Sequence, residues 1–174
     1  MREFVRETVR FVGAHGAWAA PLVFALAFAE SLAFLSLLIP AWGALVAIGA
    51  LLGPSGISFW PVWIAGALGA ALGDWLSYWV GFRYRDKIAH IWPLSKNPEL
   101  LPRGHRFVER WGVAAVFVGR FSGPLRASVP LVCGVLDMPK PRFQLANFSS
   151  AFVWVAFLLL FGDAISRGVL KILS

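Results

Sequence analysis

This sequence predicts an all-α integral membrane protein, and three observations predict it. Hydrophobic residues make up 59% of the 174 and charged ones only 14%, against the roughly 25% charged content of a soluble domain. Apolar stretches longer than the ~20 residues that cross a bilayer core recur along the chain. The few charges inside those stretches are sorted by sign. From Phe11 to Phe82 the only ones are Glu30 and Asp74; from Trp111 to Leu136 they are Arg120 and Arg126; Phe143 to Gly162 has none. Ionisable groups at membrane depth are costly and tend to mark a pathway or a bound ligand. Acids in one membrane block and bases in the other predict a transport site.

The elements follow in order. Residues 1–16 predict an interfacial helix, with Phe4, Val5, Val9 and Val12 near one face and Arg2, Arg6 and Arg10 on the polar side. This polar start lacks the short apolar core and small-residue cleavage site of a secretory signal. Residues 17–81 form a first repeat. Ala17 to Gly53 is 37 mostly apolar residues, too long for one crossing and slightly short for two with a turn. Pro40, Gly43 and Gly49 interrupt it, so a crossing plus a re-entrant excursion is expected. Such broken backbone is tolerated only against protein or a watery cavity.

Gly53-Pro54-Ser55-Gly56 is a turn signal. Ile57 to Gly81 then reads as one span, with Trp60 and Trp63 near one end and Trp75, Tyr78 and Trp79 near the other, an aromatic belt at each interface. Gly69 and Gly73 make a GxxxG pair suited to close helix packing.

The net charge of +7 is concentrated outside the apolar blocks. Residues 82–106 form a basic loop, and from Arg83 to Arg110 seven Lys and Arg residues face three acids. Between membrane blocks this predicts a cytoplasmic loop rather than a nucleic-acid patch. Residues 107–162 form the second repeat. Its first part breaks at Gly123-Pro124, resumes through Pro130 and Gly134 to Leu136, and is followed by a short loop and the span Phe143 to Gly162. Residues 163–174 are a tail. Pro40 with Gly49-Ala-Leu-Leu parallels Pro130 with Gly134-Val-Leu-Asp, so two pseudo-symmetric, inverted repeats are expected, each a broken or re-entrant helical hairpin plus a span.

Arg120 and Arg126 are six residues apart, which places them about 120° off a common face on a continuous helix. The Gly-Pro break frees them to aim at one anion, and a phosphate suits two guanidinium forks beside a helix start. The alternative is internal salt bridges to Glu30 and Asp74. Both hold if a substrate phosphate exchanges with a carboxylate. Glu30 is a candidate proton carrier or a brace for the broken helix; Asp74 is a functional carboxylate or a packing one. His15, His90 and His105 show no ligand spacing, and the single Cys133 excludes an intramolecular disulfide. No catalytic motif is present. No metal, cofactor or enzymatic activity is expected.

The stretch Phe117-Val-Gly-Arg120-Phe-Ser-Gly-Pro124-Leu-Arg126-Ala-Ser-Val-Pro130-Leu-Val-Cys-Gly134-Val-Leu-Asp-Met138, followed by Phe143, Asn147 and Trp154, resembles the DedA family of the VTT, or SNARE-associated Golgi protein, superfamily. Glu30, the Pro40 region and Gly73-Asp74 through Tyr78 and Gly81 match its first half. The resemblance covers roughly Gly16 to Gly162. Cys133 replaces the usual Ala, and one extra residue precedes the Pro of the arginine motif.

The resemblance implies two re-entrant hairpins meeting at the membrane centre of a bacterial cytoplasmic (inner) membrane protein with several spans. It also implies translocation of a phosphate-bearing lipid, undecaprenyl phosphate in some members and phosphatidylethanolamine or other phospholipids in others. Essential roles carry over to Glu30, Arg120 and Arg126. Many members carry an acid soon after the first hairpin's Pro-Gly; here Pro40 is followed by Ala41-Trp42-Gly43, which leaves Glu30 as the main candidate for proton coupling. The expectation is therefore a lipid flippase, with a passive scramblase or a proton-coupled small-anion transporter as alternatives and a scaffold or lipid-modifying enzyme as the non-transport rivals. Its expected partners are a phospholipid or prenyl phosphate and a second copy of the chain, with no nucleic acid.

Overall fold

The computed structural model describes residues 15–32, 42–85, 99–122 and 125–173. Among them the chain forms a single 3-10 turn, Gly16–Trp18, and seven α-helices, with no strand. The helices are α1 (Ala19–Ser31), α2 (Trp42–Ser55), α3 (Phe59–Arg83), α4 (Leu100–Trp111), α5 (Ala114–Gly119), α6 (Leu125–Val135) and α7 (Lys140–Leu173). The all-helical class is as expected. The N-terminal interfacial helix, Pro40, Gly123, Pro124 and most of the basic loop lie outside the described residues.

Several boundaries differ from the sequence reading, for physical reasons. Helix α2 runs through Pro54 to Ser55, and the turn begins only at Gly56, whose φ of 71° suits glycine. Part of the basic loop is helical. In α4 the buried Val108 and partly buried Phe107 join the core beside α6, while Arg103, Arg106 and Arg110 stay exposed. Ion pairs one turn apart, Glu99–Arg103 at 2.7 Å and His105–Glu109 at 3.3 Å, line its polar side. Gly112, at φ 54°, ends that helix.

Helix α7 extends beyond both ends of the apolar run, because hydropathy marks only the length that can enter lipid. An Asp163–Arg167 pair at 2.6 Å continues the helix past it. Lys140–Gly168 is, among the described residues, the one segment long and apolar enough to cross a membrane by length and composition.

Two cores organise the helices. In one, Val23 and Ala27 of α1, Leu45 and Leu52 of α2, and Ala70 and Ala71 of α3 meet Ala151, Val155 and Leu159 of α7. In the other, Tyr78 of α3 meets Val108, Val116, Val129, Val132, Cys133 and Phe143. Small residues let α3 sit between its neighbours: a Cβ on Gly69 or Gly73 would strike the Phe24 or Phe28 carbonyl of α1, as the GxxxG spacing predicts.

Two helix crossings are built alike. Where α3 meets α6, a Cβ on Gly81 would strike the Leu131 carbonyl and one on Gly134 the Tyr78 carbonyl. Where α2 meets α7, a Cβ on Gly49 would strike the Leu159 carbonyl and one on Gly162 the Val46 carbonyl. In all four cases the struck carbonyl lies three residues before the opposing glycine (131 to 134, 78 to 81, 159 to 162, 46 to 49). Each crossing brings two backbones together reciprocally, at a separation that only glycine permits.

Candidate functional site

The four charges of the apolar blocks meet in one place, and helix ends deliver three of them. Glu30 is the penultimate residue of α1, after which Leu32 turns extended at ψ 125°. Arg120 directly follows α5, and Arg126 is the second residue of α6. Asp74 comes from the middle of α3. Helix α7 completes the site with Asn147, Ser150 and Trp154, whose spacing of three and four residues lines one helical face. All four charged side chains are buried, with Arg126 the most exposed at 9%.

Two ion pairs result. Arg120 pairs through Nη2 with Asp74 Oδ2, and the same nitrogen donates to Asn147 Oδ1 at 2.7 Å while Nε donates to Ser150 Oγ at 3.0 Å. Asn147 is itself fixed, its Nδ2 donating to the Ala71 carbonyl at 2.9 Å and to Gln144 Oε1 at 3.2 Å. Arg126 donates through Nη1 to Glu30 Oε1 at 2.9 Å and through Nη2 to Ser31 Oγ at 3.1 Å. Its guanidinium carbon lies 4.0 Å from the centroid of the Trp154 ring. Ser77 Oγ donates to the Ser31 carbonyl at 3.4 Å and ties α3 to the end of α1.

Two guanidiniums and two carboxylates make the cluster neutral as a whole. Pairing offsets the cost of burying each charge. Three buried polar atoms nevertheless lack a hydrogen-bond partner among the described residues: Asp74 Oδ1, Arg120 Nη1 and Arg126 Nε. Leaving such an atom unsatisfied costs about 1–3 kcal/mol, so each arginine holds donor capacity that a further acceptor can use. Among the described residues, no group of three His, Cys, Asp or Glu side chains could hold a metal.

Glu30, Asp74, Arg120, Arg126 and Asn147 are therefore together. Of the two sequence readings of the arginines, the salt bridges to Asp74 and Glu30 are present, and each arginine keeps a donor without a partner among the described residues. Tyr78 stands elsewhere. Its hydroxyl donates to the Met138 carbonyl at 2.6 Å and its ring stacks on Phe143 at 4.4 Å, which braces α3 against the start of α7. Pro130 lies inside α6, which continues through it, and Gly134 sits at the α3–α6 crossing. Sequence reasoning missed Ser31 and Ser150 as partners and the stacking role of Trp154. The spacing Asn147-Ser150-Trp154 was the available signal for the α7 side.

A model of the VTT domain matches residues 39–164, most of the chain. The chain belongs to the VTT-domain proteins of the DedA family. It is 38% identical over 138 residues to the inner membrane protein YabI of Escherichia coli, a match covering 79% of this chain and 54% of YabI. It is 30% identical over 149 residues to the inner membrane protein YghB of the same organism, covering 83% of this chain and 67% of YghB. An uncharacterized membrane protein of Buchnera aphidicola, BU139, is 33% identical over 129 residues, covering 74% of this chain and 50% of that one. The chain spans about half the length of YabI and BU139. No solved structure matches it. This DedA-family chain is a membrane protein, with all four charges of its buried cluster but Glu30 inside the matched domain.

Proposed function

We propose that this protein moves a phosphate-bearing lipid between the leaflets of the bacterial cytoplasmic membrane, a phospholipid or a prenyl phosphate. The observation that carries the reading is the buried neutral cluster whose two arginines each retain an N–H without a partner among the described residues, at Arg120 Nη1 and Arg126 Nε. A headgroup phosphate supplies the acceptors those donors lack, and guanidinium forks suit it. The lipid tail stays in the surrounding bilayer while the headgroup takes the place of a carboxylate. Glu30 is the carboxylate that yields, since it sits at the end of α1, whereas Asp74 comes from the middle of α3 and acts electrostatically on both arginines.

Charge balance then couples the movement to protons. A monoanionic phosphodiester entering a neutral cluster leaves one excess negative charge, which a proton on Glu30 cancels. One proton per phosphodiester is the resulting stoichiometry. A passive scramblase is the version of the same site in which Glu30 never exchanges its proton with water. The matched glycine crossings, α3 with α6 and α2 with α7, support the two-repeat architecture, with the broken ends of α1 and of α5–α6 meeting at mid-membrane in a multi-pass protein.

The test is reconstitution of the purified chain in liposomes carrying fluorescent phospholipid or labelled undecaprenyl phosphate. Protein-dependent movement of one of these lipids is expected, with the rate changing with pH in wild type and not in Glu30→Gln. Movement of inorganic phosphate with no lipid movement would make the site a small-anion transporter. No movement of lipid or anion would end the transport reading.

A further inference from the structure

We infer that Trp154 is a positioning residue for Arg126, a second counter-surface that keeps the guanidinium in place when its carboxylate partner leaves. The inference rests on the proposed exchange of Glu30 for a phosphate. Arg126 meets two chemically unlike surfaces. Its N–H groups donate to Glu30 and Ser31, and its central carbon lies over the Trp154 ring, 4.0 Å from the centroid. A ring face attracts a cation through its quadrupole, most strongly for Trp and when water is excluded. Both groups here are buried, Trp154 at 5% exposure and Arg126 at 9%.

The geometry separates the two kinds of contact. An anion approaches a guanidinium in its plane, where the N–H groups point, whereas the Trp154 ring attracts the cation through its π face and takes none of the hydrogen bonds that Glu30 and Ser31 accept. Glu30 competes with an incoming phosphate; Trp154 does not. Without the ring, departure of Glu30 would leave Arg126 with Ser31 as its one hydrogen-bond partner among the described residues, and the longer-range attraction of Asp74 would not fix the orientation of the side chain. Arg120 needs no such device, because Asn147 and Ser150 hold its edge along with Asp74. Trp154 is also firmly mounted on α7, between the buried Ala151, Val155 and Leu158 of the core.

The test varies the ring's quadrupole without its shape. Mono-, di-, tri- and tetrafluoro-tryptophan are placed at position 154 of the full chain, with Trp154→Leu as the extreme. Two quantities are read: the rate at which phenylglyoxal modifies Arg126, followed by mass spectrometry, and the concentration of labelled lipid giving half-maximal movement in liposomes. Expected is a graded rise in Arg126 modification with fluorination, reaching roughly tenfold or more for loss of a desolvated cation–π contact. The half-maximal lipid concentration rises in the same order, while the fluorinated proteins, whose ring shape is kept, still fold and lose thermal stability only in step with the weakened contact.

Arg126 modification indifferent to fluorination overturns the inference, whatever the lipid assay shows. So does graded modification with a half-maximal lipid concentration that does not move. Graded modification in a protein that moves no lipid at all upholds the holding role and defeats the transport reading instead. The fluorinated series keeps the test valid even if Trp154→Leu fails to fold.

Discussion

Arg120 and Arg126 stand six residues apart, and each meets a carboxylate from the first half of the chain, yet they are held in different ways. Arg120 is gripped along its edge by Asp74, Asn147 and Ser150, and Asn147 is anchored in turn to α3. Arg126 has one carboxylate, one hydroxyl and an aromatic face. The first is a network in which Asn147 and Ser150 are themselves hydrogen-bonded to the helices that carry the site. The second has Glu30 as its one salt bridge among the described residues, on a helix that ends one residue later. The difference teaches that two similar buried ion pairs can divide the work, one locking the helices together and the other able to open.

The largest expected effect breaks the locked pair. Asp74→Asn leaves Arg120 charged and buried without a counterion, which costs about 3–5 kcal/mol. Thermal unfolding of purified protein in detergent should show a large drop or loss of folded material. Glu30→Gln should cost less than half as much, because Asp74, which acts electrostatically on Arg126 as well as on Arg120, stays in place. Equal losses would mean that the two pairs are equally structural.

Next come the crossings that hold both pairs in register. Gly134→Ala and Gly162→Ala each push a methyl against a backbone carbonyl, Tyr78 in one case and Val46 in the other. Overpacking of this kind costs about 1–3 kcal/mol, and the loss should be similar at the two sites because their geometry is matched. A large loss at one and none at the other, in the same unfolding assay, would argue against equivalent crossings.

The arginines themselves sharpen the contrast in activity. Lysine keeps the charge and loses the planar fork. Arg126→Lys should abolish most lipid movement in liposomes while the protein expresses and melts nearly as wild type. Arg120→Lys should lower both movement and stability, since Asn147 and Ser150 each lose a directed donor. Full activity in both variants would reduce the site to a balance of charge.

Much of this was legible in the sequence, and the limits are physical. The absence of basic residues from Phe11 to Phe82 and of acids from Trp111 to Leu136 made Glu30, Asp74, Arg120 and Arg126 stand out, because lipid makes each charge expensive. Which acid meets which base was not legible. That depends on how α1 and α6 end beside α3, set by glycine contacts as close as those at Gly69 and Gly81. Helix α4 was hidden because a basic loop and an amphipathic surface helix share a composition. The serines were invisible for another reason: Ser31 and Ser150 also satisfy backbone groups in helices everywhere, and only packing separates a partner from a bystander.

Those serines give the smallest and finest test of the contrast. Ser150→Ala removes the acceptor of Arg120 Nε in a site where Arg120 Nη1 already lacks a partner. A second orphaned donor on one buried guanidinium costs about 1–3 kcal/mol, and the rigid network around it cannot move to compensate. Ser31→Ala removes the acceptor of Arg126 Nη2 on a guanidinium whose Nε likewise lacks a partner among the described residues. There Trp154 still holds the guanidinium and Glu30 can be shared between two of its nitrogens, so the cost should fall to about 0.5–1 kcal/mol. Melting temperatures of the two variants measured side by side decide it. A lower value for Ser150→Ala supports a fixed Arg120 and an adaptable Arg126. The reverse order would make Arg126 the rigid arginine, and Asp74 rather than Glu30 would become the carboxylate free to release its partner.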